Sequence, residues 1–161
     1  MVMLNIGILA IVAAFNSGIV TLDRASKIST AAALGDKVME TYRAATYGCI
    51  YQNTPPSDST YTGDASYSST FGITTETSCT TPPPVASSTQ VGADGKSYRV
   101  DTFVAWACSS GTTTGSATNP LCATSGSGRP VKKVTVVVRD SRKLTARPFV
   151  RLASTFDAST G

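Results

Sequence analysis

Histidine is absent from the chain, and with it the commonest general base and the commonest transition-metal ligand. Charged residues are scarce, at 15% of 161 residues, and residues 1–22 contain none. Aromatic residues make up only 7%, with a single tryptophan, Trp106, read here as core and not as a ligand platform. No C-x-x-C pair occurs, which together with the missing histidine argues against zinc. There is no G-x-S-x-G, no P-loop and no Rossmann glycine pattern, and nothing marks a serine–lysine pair. The glycan acceptor N-x-[ST] is missing too, since Asn53-Thr54 is followed by Pro55. The expectation is a non-enzyme with no cofactor and no metal.

What is present is unevenly spread. Residues 1–22 read MVMLNIGILAIVAAFNSGIVTL, longer than the roughly 18 uncharged residues that mark a membrane-spanning helix. No basic n-region precedes the stretch, as a signal peptide would require. The helical pattern then continues: Ile28, Ala31, Gly35, Val38, Tyr42 and Ala45 recur at alternating three- and four-residue spacing, an apolar stripe. Asp23, Arg24, Lys27, Asp36, Lys37, Glu40 and Arg43 occupy the other faces, and Asp23 with Lys27 forms a favourable four-apart pair. No proline appears before Pro55. These features predict one helix from about residue 1 to about residue 45, roughly 65–70 Å long. A small domain cannot cover such a rod, so its first half belongs in lipid or among other copies of itself.

Between residues 52 and 90 nearly half the side chains are Ser or Thr, with Pro55, Pro56 and the 82–84 proline run. That composition predicts loop with at most a short strand, facing outward. Strand patterns return at 97–107 (SYRVDTFVAWA), 131–139 (VKKVTVVVR) and 149–156 (FVRLASTF). They predict an antiparallel meander of three or four strands, one face on the second half of the helix and the other facing solvent or a neighbour. The fold class is therefore α+β. Its organisation is an apolar helix half at 1–22 and a globular unit at 23–161. The latter comprises helix 23–46, a Ser/Thr/Pro-rich region 47–96 and the sheet 97–157.

The cysteines, Cys49, Cys79, Cys108 and Cys122, suit an oxidising compartment and allow three connectivities. Cys49–Cys79 and Cys108–Cys122 are preferred, because each closes a locally irregular loop. Charge is also graded. Residues 129–151 hold eight basic residues (Arg129, Lys132, Lys133, Arg139, Arg142, Lys143, Arg147, Arg151) and one acid, whereas 45–128 hold five acids and two basic residues. Such a row can contact a polyanion or a neighbouring subunit. With no stacking pattern beside it, nucleic acid is the weaker partner. In the apolar half, Ala10, Ala14 and Gly18 lie four apart with Gly7 nearby, a spacing that lets helix backbones approach closely. Asn5 and Asn16 are polar interruptions that call for a partner in an apolar setting, and Asn16-Ser17-Gly18 is the weakest helix-forming triplet of the segment.

The segment MVMLNIGILAIVAAFNSGIVTLDRA followed by a small antiparallel sheet resembles the type IV pilin superfamily, and VKKVTVVVRDSRKLTARPFVRLASTF resembles the last strand pair of minor pilins and secretion pseudopilins. The likeness covers the first 45 residues well and the last 30 loosely. There is no glycine-then-aromatic leader site, and Glu40 is the first glutamate; Met1 resembles an interior residue of a pilin helix. The resemblance implies a structural subunit that bundles its apolar helices into an extracellular filament. Its partners would be other copies of itself, other pilins and assembly machinery, with a precursor pool held in the cytoplasmic membrane. A pseudopilin of a type II-like secretion system and a membrane-anchored adhesive module are the alternatives.

Overall fold

The structure, a computed structural model, describes residues 2–70, 72–75, 79, 82–108, 113–115, 120–122 and 129–160; the side chains of 2–11, 13, 113–115, 120–122 and 160 are outside that description. One helix, α1 (Val2–Arg43), is followed by a 3-10 turn, Tyr47–Cys49, and a single helical turn, α2 (Ser59–Thr62). Six strands come next: β1 (Ser87–Val91), β2 (Ser97–Cys108), β3 (Thr113–Gly115), β4 (Pro120–Cys122), β5 (Pro130–Asp140) and β6 (Val150–Phe156). The main sheet is antiparallel throughout, in the order β1-β2-β5-β6, and β3 with β4 forms a separate two-stranded ribbon between β2 and β5. The architecture is α+β, a long N-terminal helix packed on a four-stranded antiparallel sheet.

The period-2 pattern sets the front face. Register places Val100 opposite Val138, Val104 opposite Val134 and Val136 opposite Leu152. These residues share a core with Ala31, Val38, Met39 and Tyr42 of α1. The helix lies so close to β6 that a β-carbon on Gly35 would stand 2.9 Å from Leu152 Cδ1. Gly92 is equally constrained: a β-carbon there would meet Thr30 Cγ2 of α1 at 2.3 Å and Tyr98 Cε2 at 2.8 Å. The β1–β2 turn is thereby seated on the helix.

Two expectations need correction. The helix ends at Arg43, close to the expected end, but Ile28 of the predicted stripe is exposed. The Ser/Thr-rich region holds the short strand its composition allowed, β1. That region does not simply face outward, however. Its tyrosines cover the back of the sheet: Tyr61 is fully buried, stacked on Phe103 with ring centroids 4.5 Å apart, and clustered with Ala86 and Val137. The sheet is consequently buried on both faces. Among the described residues no helix is long and apolar enough to cross a membrane; the side chains of 2–11 and 13, which belong to the expected apolar span, lie outside that description.

The back face is stitched by polar contacts where aliphatics are few. Asp58 caps α2 by accepting from the N–H groups of Thr60 and Tyr61 at 3.1 Å. Tyr61 Oη donates to Thr102 O at 2.6 Å, and Gln52 bonds β2 twice: its Nε2 donates to Thr102 O at 2.9 Å and its Oε1 accepts from Val104 N at 2.6 Å. Cys49 and Cys79 are disulfide-bonded, closing a loop of sequence separation 30, a constraint worth roughly 3–4 kcal/mol on the unfolded chain. Cys108 is also disulfide-bonded; the side chain of Cys122 lies outside the described residues.

Candidate functional site

The most unusual surface is the part of α1 that leaves the domain. Val12, Phe15, Ile19, Val20 and Leu22 are all at least half exposed, Phe15 to 70%. No other element of the domain covers these large apolar groups. Ala14 and Gly18, one turn apart, form the floor of an apolar notch of about 350 Å³ whose walls are Phe15, Ile19 and Leu22. Nothing lies within 4 Å of a β-carbon built on Gly18. Two of the small residues read from sequence, Ala14 and Gly18, thus lie at the base of a concavity on the exposed helix surface.

Asn16 lies beside this notch, exposed, and the Asn16-Ser17-Gly18 triplet is helical here. Thr21 Oγ1 donates to Ser17 O at 2.9 Å. Asn5, Gly7 and Ala10 are in the helix, but their side chains lie outside the described residues.

Where the helix joins the domain, charge replaces apolar surface abruptly. Asp23 accepts from Lys27 of its own helix and from Lys96 of the β1–β2 turn, both at 2.6 Å. These hydrogen bonds, Lys27 first, bring the Asp23 carboxyl down to about 2. Around the same level two grooves meet. One, of about 820 Å³, is lined by Val20, Arg24, Lys27, Ile28, Arg147 and Phe149 among others. The second includes Lys27, Lys96, Asp140, Arg142 and Phe149.

No family model, curated protein or solved structure matches this chain. The reading of the surface therefore rests on its own geometry.

The structure splits the basic row of residues 129–151 into two groups. Lys132 is fully buried: its Nζ donates to Tyr47 O at 2.9 Å and sits 4.4 Å from the Tyr47 ring centroid and 5.6 Å from that of Trp106. Arg139 is buried between Asp64 and Asp101, with Nε 3.3 Å from Asp101 Oδ2. Arg151 reaches the same Asp64 at 2.8 Å. Lys132 and Arg139 are committed inside the domain, and Arg151, exposed, is held by Asp64. Arg129, Lys133, Arg142, Lys143 and Arg147 remain exposed, Arg129 paired to Asp157 at 3.0 Å.

Sequence reading missed the acids that consume the inward-facing cations. Arg99 and Arg139 converge on Asp101, which has no exposed surface, while Asp58 pairs with Arg99 and Asp64 with Arg139 and Arg151. A signal was present: Phe103 follows Arg99 and Asp101 at the alternate positions of β2, a large aromatic on a face predicted to meet water. Among the described residues no three of His, Cys, Asp and Glu are placed to hold a metal ion.

Proposed function

We propose that the chain is a structural subunit of a type IV pilus-like filament, joined to its copies through the apolar half of α1. The observation that carries this reading is the helix segment 12–22, whose large apolar side chains are exposed, continuous with a half that is firmly docked on a sheet. An exposed apolar rod of this kind is unstable in water and needs an apolar environment. Lipid supplies one before assembly, and neighbouring helices supply one afterwards. Because lipid is already apolar, close packing must provide the preference for the fibre, and the Ala14–Gly18 notch supports that role. The sheet, capped on both faces by its own chain, would form the outer shell. The loose pilin-like architecture favours an extracellular filament fed from a cytoplasmic-membrane pool, with no catalytic group required.

Ala14→Trp tests the reading. The notch is then filled, while the domain, which begins to bury side chains only near Ala31, stays intact. The expected outcome is unchanged thermal unfolding, a membrane-held precursor and no fibres by electron microscopy of sheared material. Normal fibres from this variant would remove the notch from the interface.

A further inference from the structure

The cations at the helix exit form a collar at one level of the molecule. Lys27 and Phe149 line both grooves described above; Arg24 and Arg147 extend one, and Lys96 and Arg142 the other. Asp23, Asp94 and Asp140 are the acids at that level: Asp23 is clamped by Lys27 and Lys96, Asp94 lies 3.9 Å from Lys96, and the charges of Asp140 and Asp94 act on Lys27. Five cations thus face three acids, with Arg151 set aside because Asp64 holds it. Arg24, Arg142 and Arg147 are exposed and make no ion pair among the described residues. They are the source of the excess charge.

Position gives that excess a meaning. Residues 1–22 are uncharged, and the collar starts at the next turn of the same helix. Exposed Val20 and Leu22 lie immediately below it, and Val20 lines the larger groove itself. If the apolar half lies in lipid, as the filament reading requires of the unassembled subunit, the collar sits at headgroup depth. Guanidinium groups there pair with phosphate in forked geometry, and aliphatic walls receive the upper acyl chain.

We infer that this collar is a docking surface for anionic phospholipid headgroups, which seats the globular unit upright on the membrane before assembly. The inference rests on the filament reading for its membrane state. Each Lys or Arg held near an anionic surface contributes on the order of 1 kcal/mol. An excess of two therefore predicts about thirtyfold preference for anionic over neutral bilayers.

The test partitions the full chain from detergent into phosphatidylcholine vesicles and into vesicles containing about 30% phosphatidylglycerol. The expected result is insertion into both, with about thirtyfold tighter association with the anionic vesicles, reduced by high salt. Arg24→Gln/Arg142→Gln/Arg147→Gln should lose most of the preference and leave partition into neutral vesicles unchanged. The matching Arg→Lys triple variant should keep it, which separates lost charge from lost fold. Equal association of the wild type with both vesicles overturns the inference and leaves the filament reading standing. Failure to enter neutral vesicles overturns both. An anionic preference that survives the Gln triple variant, while fibre yield falls, assigns the collar to contact with another subunit instead.

Discussion

Gly35 of α1 and Leu152 of β6 meet with no room for a β-carbon between helix and sheet: one built on Gly35 would stand 2.9 Å from Leu152 Cδ1 and 3.5 Å from Val138 Cγ2. This contact sets the depth at which the helix docks. Gly35→Ala gains helix propensity of about 1 kcal/mol, which offsets a clash with the movable end of a leucine, so its net effect should lie within about 1 kcal/mol of zero. Gly35→Leu has no such offset and should destabilise by about 1–3 kcal/mol. Urea midpoints of the two variants check the order, which would reverse if the helix could ride outward freely.

The ionic chain on the back face makes a second prediction. Arg139 is buried and serves Asp64 and Asp101 together. Arg139→Met keeps much of the volume yet leaves two buried carboxylates each short of a partner. Removing one member of a buried ion pair typically costs 3–5 kcal/mol. Asp101 retains Arg99 and Ser87 Oγ, both at 2.7 Å, so the expected loss is at the lower end, about 3 kcal/mol. Chemical denaturation measures it.

Acid should act through the same residues. Burial pushes the Asp64 carboxyl up, but the Arg151 hydrogen bond, the Ser66 N–H and the charges of Arg151 and Arg139 outweigh it, and the net shift is downward. Asp58 is also lowered, first by the Arg99 hydrogen bond. A carboxylate with a lowered folded-state value contributes stability that is complete above its unfolded value, near 3.9. That stability disappears as pH falls through the folded value. Stability should therefore be level from about pH 5 upward and fall below about pH 4. Arg151→Gln should lower stability at neutral pH and flatten the acid limb, because Asp64 loses the partner that lowers it. Thermal melts from pH 7 to pH 2 test this, and an unchanged acid limb would exclude Arg151 from the effect.

Thr54 has φ of +47°, a left-handed conformation that a β-branched residue adopts at a cost. Thr54→Gly should raise stability by about 1 kcal/mol, the relief of strain exceeding the added freedom of the unfolded chain. A lowered melting temperature would show that the Thr54 Oγ1 bond to Asn53 Oδ1, at 2.9 Å, outweighs the strain.

How legible these features were depended on which physical signal each carried. The docked half of α1 and strands β2, β5 and β6 could be read because their burial follows one clean period: Ala31, Val38 and Tyr42 along the helix, and Val100, Val104, Val134 and Val136 across the sheet. The covered back face was missed because its partner is polar by composition. Tyr61, Gln52 and Asp58 bury or bridge through hydrogen bonds spanning 41–52 residues, and no local periodicity announces such contacts. The run Val136-Val137-Val138 did carry a trace of it, since consecutive apolar residues on a strand mean burial on both sides. The apolar notch was half legible: the Ala14–Gly18 spacing stood in the sequence, whereas the walls of Phe15, Ile19 and Leu22 emerged only from the helix geometry. Lys96 was invisible as a partner of Asp23, being 73 residues away.

The bond between Cys49 and Cys79 makes the back-face segment a covalent ring carrying Tyr61 at its centre. A single protease cut anywhere between these cysteines opens the ring without releasing either piece. Both severed ends stay attached to the domain through that bond.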